Sequence, residues 1–326
     1  MRAPSFFLQV SCLLLLAGCQ SAPGNDFAFD APSAIIEYQQ VPTETEKAAE
    51  TRVIVLGTGN PIPDPRRAGS SIAVIHKGRA YLFDIGAGAV KNATTARYRH
   101  DIPSLSPLRI SAVFLTHMHN DHTADYPVLA GTLWWRRQDP LSLFGPAGSI
   151  EMSEGMYAMM GPDVRLRSGG TQPVGDSRAY RVDVTEIDEG VVFEADGMRV
   201  EAFEVNHGAI RPAFGYRITT EDKTIVISGD TARSEKLIEM ARGADLLFHE
   251  VISDGGLSRN SEAMQAYHKR SHTLASELGR IATEAQPGLL VLYHALFYGV
   301  PEAQIVDEVR STYTGPVVLA DDLDIY

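Results

Sequence analysis

Three histidines and one aspartate stand within six consecutive positions of this chain, directly after a predicted strand. The mostly apolar run over residues 110–115 is typical of a buried strand, and the sequence THMHNDH follows it. Residues two apart in an extended chain point the same way, so His117 and His119 can face one cation together. Asp121 and His122 lie past the strand end and can offer a second, adjacent position. Because imidazole and carboxylate are usual ligands of Zn²⁺ and similar divalent ions, the motif predicts metal binding.

Four further acidic or histidine residues, Asp84, His207, Asp230 and His294, each follow a predicted apolar strand. A single histidine at a strand end is more often structural than a ligand. Strand ends are, however, where α/β folds gather functional groups, so the recurrence marks these four as candidate site residues. Three other histidines, His76, His100 and His268, lie in polar turns or on helix faces and are expected to be solvated.

The apolar pattern predicts hairpins in both halves of the chain. The paired segments are Ser71–Ile75 with Tyr81–Ile85, Val191–Phe193 with Val200–Val205, and Tyr216–Ile218 with Thr224–Ile227. Strands and helices alternate afterwards: Ser234–Arg242 (helix), Leu246–Phe248 (strand), Thr273–Glu284 (helix), Leu289–Tyr293 (strand) and Pro301–Thr312 (helix). This order predicts an α/β fold and suggests two packed sheets covered by helices, while periodicity alone leaves the number of layers open.

The first 18 residues have the pattern of an export signal, with Arg2 before an apolar stretch too short to span a bilayer. The sequence LAGC ending at Cys19 resembles the bacterial lipobox, which implies a lipid anchor on that cysteine; an ordinary secretory signal is the alternative. Gln20 is similar to the residue that sorts lipoproteins to the outer membrane, so the expected location is its periplasmic face if the host is Gram-negative. Residues 19–50 are predicted to be a flexible tether, and residues 51–326 a single domain.

Composition limits both the metal chemistry and the partners. Of the two cysteines, Cys12 falls in the predicted signal and Cys19 directly follows it, so the domain must bind metal through His, Asp and Glu. The chain has 29 Lys and Arg against 41 Asp and Glu, a net charge of −12 that repels a phosphate backbone. A small-molecule substrate is therefore expected and nucleic acid is disfavoured. A homodimer is compatible with the sequence.

The motif HxHxDH, followed in order by His207, Asp230 and His294, resembles the metallo-β-lactamase superfamily over nearly all of residues 52–326. The resemblance implies a four-layer αββα sandwich that binds two divalent metal ions, zinc by family default, with Mn²⁺ or iron as alternatives. It implies one metal site of His117, His119 and His207, and a second of Asp121, His122 and His294. Asp230 would bridge the two sites, and Asp84 would orient ligand histidines.

Asp at position 230 separates this chain from the two-zinc β-lactamases, which have cysteine there, so β-lactam hydrolysis is disfavoured. The segment GTGNPIPDPRRAGSS, the pair His249-Glu250 and the triplet Ser271-His272-Thr273 are similar to the group containing tRNase Z and a secreted arylsulfatase. In tRNase Z the equivalent Glu and His transfer a proton to the leaving oxygen, which implies that role for Glu250 and His272. Asp121, Glu250 and His272 are the residues expected to act in catalysis.

These observations predict a hydrolase of phosphodiester or sulfate ester bonds in which a metal-bridged hydroxide attacks in line. The first alternative is a tRNA 3′-end endonuclease, which the motifs fit. Export, acidity and the lack of an inserted basic arm in the sequence argue against it. An alternative of another class is a non-catalytic metal-binding lipoprotein.

Overall fold

Two β-sheets form the centre of the fold in the computed structural model, which describes residues 51–170 and 172–326. The predicted signal (1–18) and tether (19–50) lie outside the described residues. The first sheet has the order β1-β2-β3-β4-β5-β6, with strands Arg52–Gly57, Ser71–His76, Arg79–Phe83, Ile110–Phe114, Leu141–Gly145 and Val182–Glu186. The second has the order β13-β12-β11-β10-β9-β8-β7, with β7 to β13 at Gly190–Ala195, Met198–Glu204, Phe214–Thr219, Thr224–Ile227, Leu246–Ile252, Leu289–Leu296 and Val317–Leu319.

Each sheet combines antiparallel hairpins with a parallel part. The predicted hairpins are confirmed as β2–β3, β7–β8 and β9–β10. Asp196 and Gly197 both have positive φ in the β7–β8 turn, as a tight hairpin turn requires. β3 to β6 are parallel in the first sheet and β10 to β13 are parallel in the second. Their carboxyl ends therefore collect on one side of each sheet.

Helices cover the outer faces of both sheets. In the described residues the α-helices, α1 to α9, are Ala89–His100, Asn120–Thr123, Tyr126–Gly131, Ser149–Ser168, Glu235–Ala241, Asp254–Leu257, Glu262–Ser271, Ala275–Ala285 and Glu302–Arg310. The predicted helices near residues 234–242, 273–284 and 301–312 correspond to α5, α8 and α9. None of the helices in the described ranges is long and apolar enough to span a bilayer.

Alternate residues of each central strand enter different cores. Val53 and Val55 of β1 pack between the sheets with Tyr216 and Phe248, whereas Ile54 faces the outer core with α1. A third core lies between the second sheet and α5, α8 and α9. Because both faces of the central strands are buried, they are apolar throughout, which is why their positions were readable from the sequence. The fold is thus the predicted αββα sandwich.

Candidate metal centre

The predicted ligands come from both sheets and meet at the carboxyl ends of their strands. The segment after β4 carries His117, His119, Asp121 and His122, the last two in the short helix α2. The second sheet contributes the other three, with His207 after β8, Asp230 after β10 and His294 within β12. The centre therefore depends on the packing of one sheet on the other.

Four of these residues form a first group, made up of His117, His119, His207 and Asp230. One potential ligand atom of each lies within 4.8 Å of the others. Nδ1 of His119 is 2.9 Å from Nε2 of His117 and 3.3 Å from Nε2 of His207. Such converging imidazole nitrogens are the arrangement that surrounds a divalent cation.

A second group is formed by Asp121, His122 and His294, whose ligand atoms also lie within 4.8 Å of one another. Oδ2 of Asp121 is 3.0 Å from Nε2 of His294 and 3.4 Å from Nε2 of His122. The HxHxDH motif is thus divided between two groups, the division that the family resemblance implies.

Asp230 lies between the groups and turns one carboxylate oxygen to each. Its Oδ2 is 3.9 Å from Nε2 of both His117 and His207, in the first group. Its Oδ1 is 3.5 Å from Nε2 of His122 and 3.6 Å from Nδ1 of His294, in the second. The bridging position predicted for this residue fits that geometry.

Several buried polar atoms of the centre have no hydrogen bond to the described residues, which is the pattern expected of metal ligands. They include Nε2 of His122, Oδ1 of Asp230 and Nδ1 of His294. A buried polar atom left without a partner costs roughly 1–3 kcal/mol, and coordination to a cation would offset that cost. The residues present therefore fit divalent metal ions, and their nitrogen and oxygen donors are compatible with zinc, manganese or iron.

The electrostatics of the two groups differ. Burial and the neighbouring His122 hold the pKa of His117 well below its usual value, and burial also lowers the pKa of His119 and His207. These imidazoles stay neutral, the form that binds metal. At His122 the carboxylates of Asp230 and Asp84 overcome burial and raise the pKa well above its usual value. The field that holds a proton there would equally hold a cation.

Hydrogen bonds to the far side of the rings set their orientation. Asp84 accepts from the backbone N–H and the hydroxyl of Thr116, at 2.8 and 2.9 Å, and lies 2.7 Å from Nδ1 of His122. The Thr116 hydroxyl is 3.0 Å from Nδ1 of His117, and the Ser271 carbonyl is 2.8 Å from Nδ1 of His207. Sequence reasoning predicted this role for Asp84 but missed Thr116 and Ser271. The position of Thr116 next to the motif was the available signal.

The structure also places the two other predicted catalytic residues beside the centre. Glu250 is fully buried, and its Oε1 accepts the backbone N–H of Thr273 at 2.8 Å and lies 3.5 Å from Nδ1 of His272. The same nitrogen is 4.0 Å from Oδ2 of Asp230. Although burial opposes it, Glu250 raises the pKa of His272 to about 9. His272 can therefore hold a proton next to the metal groups.

The expectation that His76 and His268 are solvated is wrong, since both are buried. Nδ1 of His76 is 3.0 Å from the Thr51 hydroxyl, and Nε2 of His268 is 2.6 Å from the Tyr298 hydroxyl. In both cases the partner is distant in sequence, so a pattern of local polarity could not indicate the burial. His100 is half-buried.

Comparisons with known proteins agree with this geometry. A family model described as a beta-lactamase superfamily domain matches residues 79–295. A ribonuclease Z from Mycobacterium sp. (strain KMS) is 32% identical over 276 residues, which cover 83% of this chain and 94% of that protein. A ribonuclease Z from Mycolicibacterium paratuberculosis (strain ATCC BAA-968 / K-10) is 31% identical over 278 residues, which cover 83% of this chain and 96% of that protein.

Solved structures share the fold at lower identity. The metallo-β-lactamase fold protein YhfI from Bacillus subtilis superposes with a TM-score of 0.64 at 20% identity, covering 85% of this chain and 99% of that one. The short form of human tRNase Z superposes with a TM-score of 0.61 at 22% identity, and the match covers 84% of this chain and 98% of that one.

Proposed function

The chain belongs to the beta-lactamase superfamily, and from that membership and the geometry of its centre we propose that it hydrolyses phosphodiester bonds with two divalent metal ions. One observation carries the proposal. Asp230 lies between two groups of predicted ligands, and Nδ1 of His272, which faces Glu250, is 4.0 Å from Oδ2 of Asp230. A non-catalytic metal protein would need no proton donor beside its ligands.

His117, His119 and His207 would hold one metal ion and Asp121, His122 and His294 the other, with Asp230 between them. When bound, two such ions supply hydroxide at neutral pH by lowering the pKa of water, and they polarise the phosphoryl oxygens. Asp84, Thr116 and the Ser271 carbonyl would keep the ligand rings in place throughout turnover.

The remaining step is the departure of the leaving group, and His272 would supply its proton. Hydrolysis adds the oxygen of water to phosphorus and breaks the bond to the leaving oxygen, which takes the electron pair and then needs a proton. Nδ1 of His272 faces Glu250, so Nε2 is the atom that can donate to the leaving oxygen. The products are an alcohol and a phosphomonoester, and neutral His272 regains its proton from water.

For the substrate, the relatives favour RNA over a sulfate ester. The two relatives described above are named ribonuclease Z, and each is covered over more than nine-tenths of its length. This supports the endonuclease alternative more than the arylsulfatase expectation. The net charge of −12 is the observation that opposes a long polyanionic substrate. We therefore take the phosphodiester as the proposal and 3′-extended tRNA as the first substrate to test.

A paired assay of the full chain, reconstituted with zinc or manganese, tests this proposal. The substrates are bis(4-nitrophenyl) phosphate, a 3′-extended tRNA and 4-nitrophenyl sulfate. We expect metal-dependent hydrolysis of the diester that is lost in Asp230→Ala and retained in Asp139→Ala, an exposed aspartate outside the centre. Turnover of the sulfate alone, or full turnover in Asp230→Ala, would overturn the proposal. Cleavage of the tRNA would identify the endonuclease.

We also propose that the chain is exported and held at a membrane by a lipid on Cys19. The support is the lipobox-like sequence before this residue. Labelled fatty acid should be incorporated into the wild type and into Cys12→Ala but not into Cys19→Ala. Equal labelling of the Cys19→Ala protein would contradict the anchor.

A further inference from the structure

A hydrogen-bonded pair, the half-buried Tyr298 and the buried His268, lies beside the Glu250–His272 pair and has no part in the reaction described so far. The hydroxyl of Tyr298 is 2.6 Å from Nε2 of His268. His268 is only 7% exposed. His268 is in the last turn of α7, four residues before His272. Tyr298 follows β12, the strand that carries the predicted ligand His294. The contact thus ties together two elements of the centre.

His268 packs directly against His272. The two ring centroids are 5.3 Å apart with the planes tilted by 38°, and the His272 backbone N–H donates to the His268 carbonyl at 2.7 Å. Nδ1 of His268 is buried and has no hydrogen bond to the described residues. An apolar side chain would fill the same space without that cost. The presence of a histidine, held by a tyrosine, therefore needs an explanation other than packing.

The position of His272 relative to Glu250 depends on what surrounds its ring. Its Nδ1 is 3.5 Å from Oε1 of Glu250, at the outer limit of a hydrogen bond. Three other imidazoles pack around the ring, His207 at 5.2 Å, His268 at 5.3 Å and, stacked at 6.2 Å, the predicted ligand His294. His207 is a predicted ligand held by the Ser271 carbonyl, so its place is set by the metal groups. His268 is held by the Tyr298 hydroxyl.

We propose that Tyr298 and His268 are positioning residues that hold His272 against Glu250, so that its Nε2 meets the leaving oxygen of the substrate. This inference rests on the proposed phosphodiesterase function. Its chemical signature is a dependence on the leaving group. A nitrophenolate departs without help, whereas a more basic oxygen needs the proton, and a positioned acid contributes about 10² to 10⁴-fold there.

The test compares two esters that differ only in leaving group, methyl 4-nitrophenyl phosphate and methyl phenyl phosphate, on the metal-reconstituted full chain. We expect Tyr298→Phe to lose about tenfold or more in turnover of the phenyl ester and less than about twofold on the nitrophenyl ester. The matched control is Tyr267→Phe. It removes the hydroxyl of the tyrosine that precedes His268 in the chain and is 48% exposed, and it should leave the turnover of both esters unchanged. His268→Gln, which keeps a polar atom near Nε2, should retain more activity on the phenyl ester than His268→Leu.

Equal losses on both esters, or no loss in Tyr298→Phe, would overturn the inference, because a purely structural contact has no leaving-group dependence. A second readout needs no turnover. In ¹⁵N spectra of the histidine rings of the metal-free full chain, Tyr298→Phe should shift the His272 resonances, and Tyr267→Phe should not. Unchanged His272 resonances would overturn the inference even if the wild type hydrolysed neither ester, a result that would separately overturn the proposed function.

Discussion

Single carboxylates organise the candidate centre, because each faces several partners at once. Asp230 faces four histidines that are predicted ligands, two through each oxygen. Asp84 contacts both Thr116 and His122 through its carboxylate. Its φ is positive, at 60°, and this conformation ends the extended backbone of β3. A non-glycine residue in this conformation is uncommon and is maintained when the surroundings require it. The loss of either carboxylate is therefore expected to affect more than one ligand.

Changing Asp84 to Asn should weaken the second metal group without removing a ligand. The amide cannot accept from His122 and Thr116 as the carboxylate does, so the His122 ring loses its fixed orientation. We expect metal affinity to fall about 10- to 100-fold, measured by competition with a chelator. Asp125→Asn is the control, since that carboxylate accepts from the backbone of Gly88 and Val90. Equal affinities in the wild type and Asp84→Asn would contradict the orienting role.

Changing His272 to Ala should separate proton donation from metal binding. We expect turnover of a substrate with a basic leaving oxygen to fall about 10²- to 10⁴-fold, because the positioned acid is gone. Metal content, measured by atomic absorption, should remain that of the wild type. If metal is lost together with activity, His272 is a ligand and the proposed role is wrong.

At the scale of secondary-structure elements, an irregularity in β12 aims His294 at the centre. The parallel pairing of β11 and β12 passes from Glu250–Tyr293 to Val251–Ala295, so His294 is an extra residue in a bulge. Its φ of 46° is positive. Bulges redirect side chains beside functional sites, and this one turns an imidazole out of the regular alternation of the strand. The adjacent helix α8 begins just after Thr273, which donates to Glu250.

Truncating the buried face of α8 should destabilise the domain. Leu278 is fully buried in the outer core of the second sheet, and Leu278→Ala leaves a cavity there. We expect the free energy of unfolding in denaturant to fall by about 2–5 kcal/mol. Arg280→Ala, on the same helix with a side chain 56% exposed, should change it by less than about 0.5 kcal/mol. A similar effect of the two substitutions would argue against this packing.

At the scale of the whole molecule, metal binding would cross-link the two sheets. Each ligand group combines side chains from the segment after β4 with side chains from the second sheet. Without cations, the interface keeps its apolar core, in which Phe83 and Phe114 stack against each other at 4.9 Å and contact Tyr216. The domain should therefore stay folded when metal is removed, but with lower stability.

Chelation should lower the melting temperature of the wild type. Free metal at about 1,000 times its dissociation constant stabilises the native state by about 4 kcal/mol, which corresponds to a shift on the order of 10 °C for a domain of this size. Calorimetry with and without chelator measures the shift. The Asp230→Ala variant lacks the carboxylate shared by the two ligand groups, so chelation should shift its melting temperature less. An unchanged melting temperature in the wild type would indicate that the centre binds no metal.

Most of the central strands and three of the helices could be predicted because their residues are continuous apolar runs or amphipathic patterns. The exceptions have physical reasons. The apolar pattern predicts a strand that runs to Ile85, but β3 stops at Phe83 because Asp84 leaves it to reach Thr116 and His122. Helix α4 was not predicted, because it contains Gly155, Gly161 and Pro162 and is stabilised by tertiary packing of residues such as Met156.

The sequence by itself determined which metal-binding types of side chain this protein has and which elements they follow. The donors of HxHxDH, the order of His207, Asp230 and His294, and the strands that precede them are local properties readable along the chain. Only the tertiary structure decided how these groups are shared, because that depends on distances between residues far apart in sequence. Packing the sheets together turned Asp230 toward both ligand groups and brought Glu250 to His272. It also buried His268 against Tyr298, a contact that no local pattern encodes.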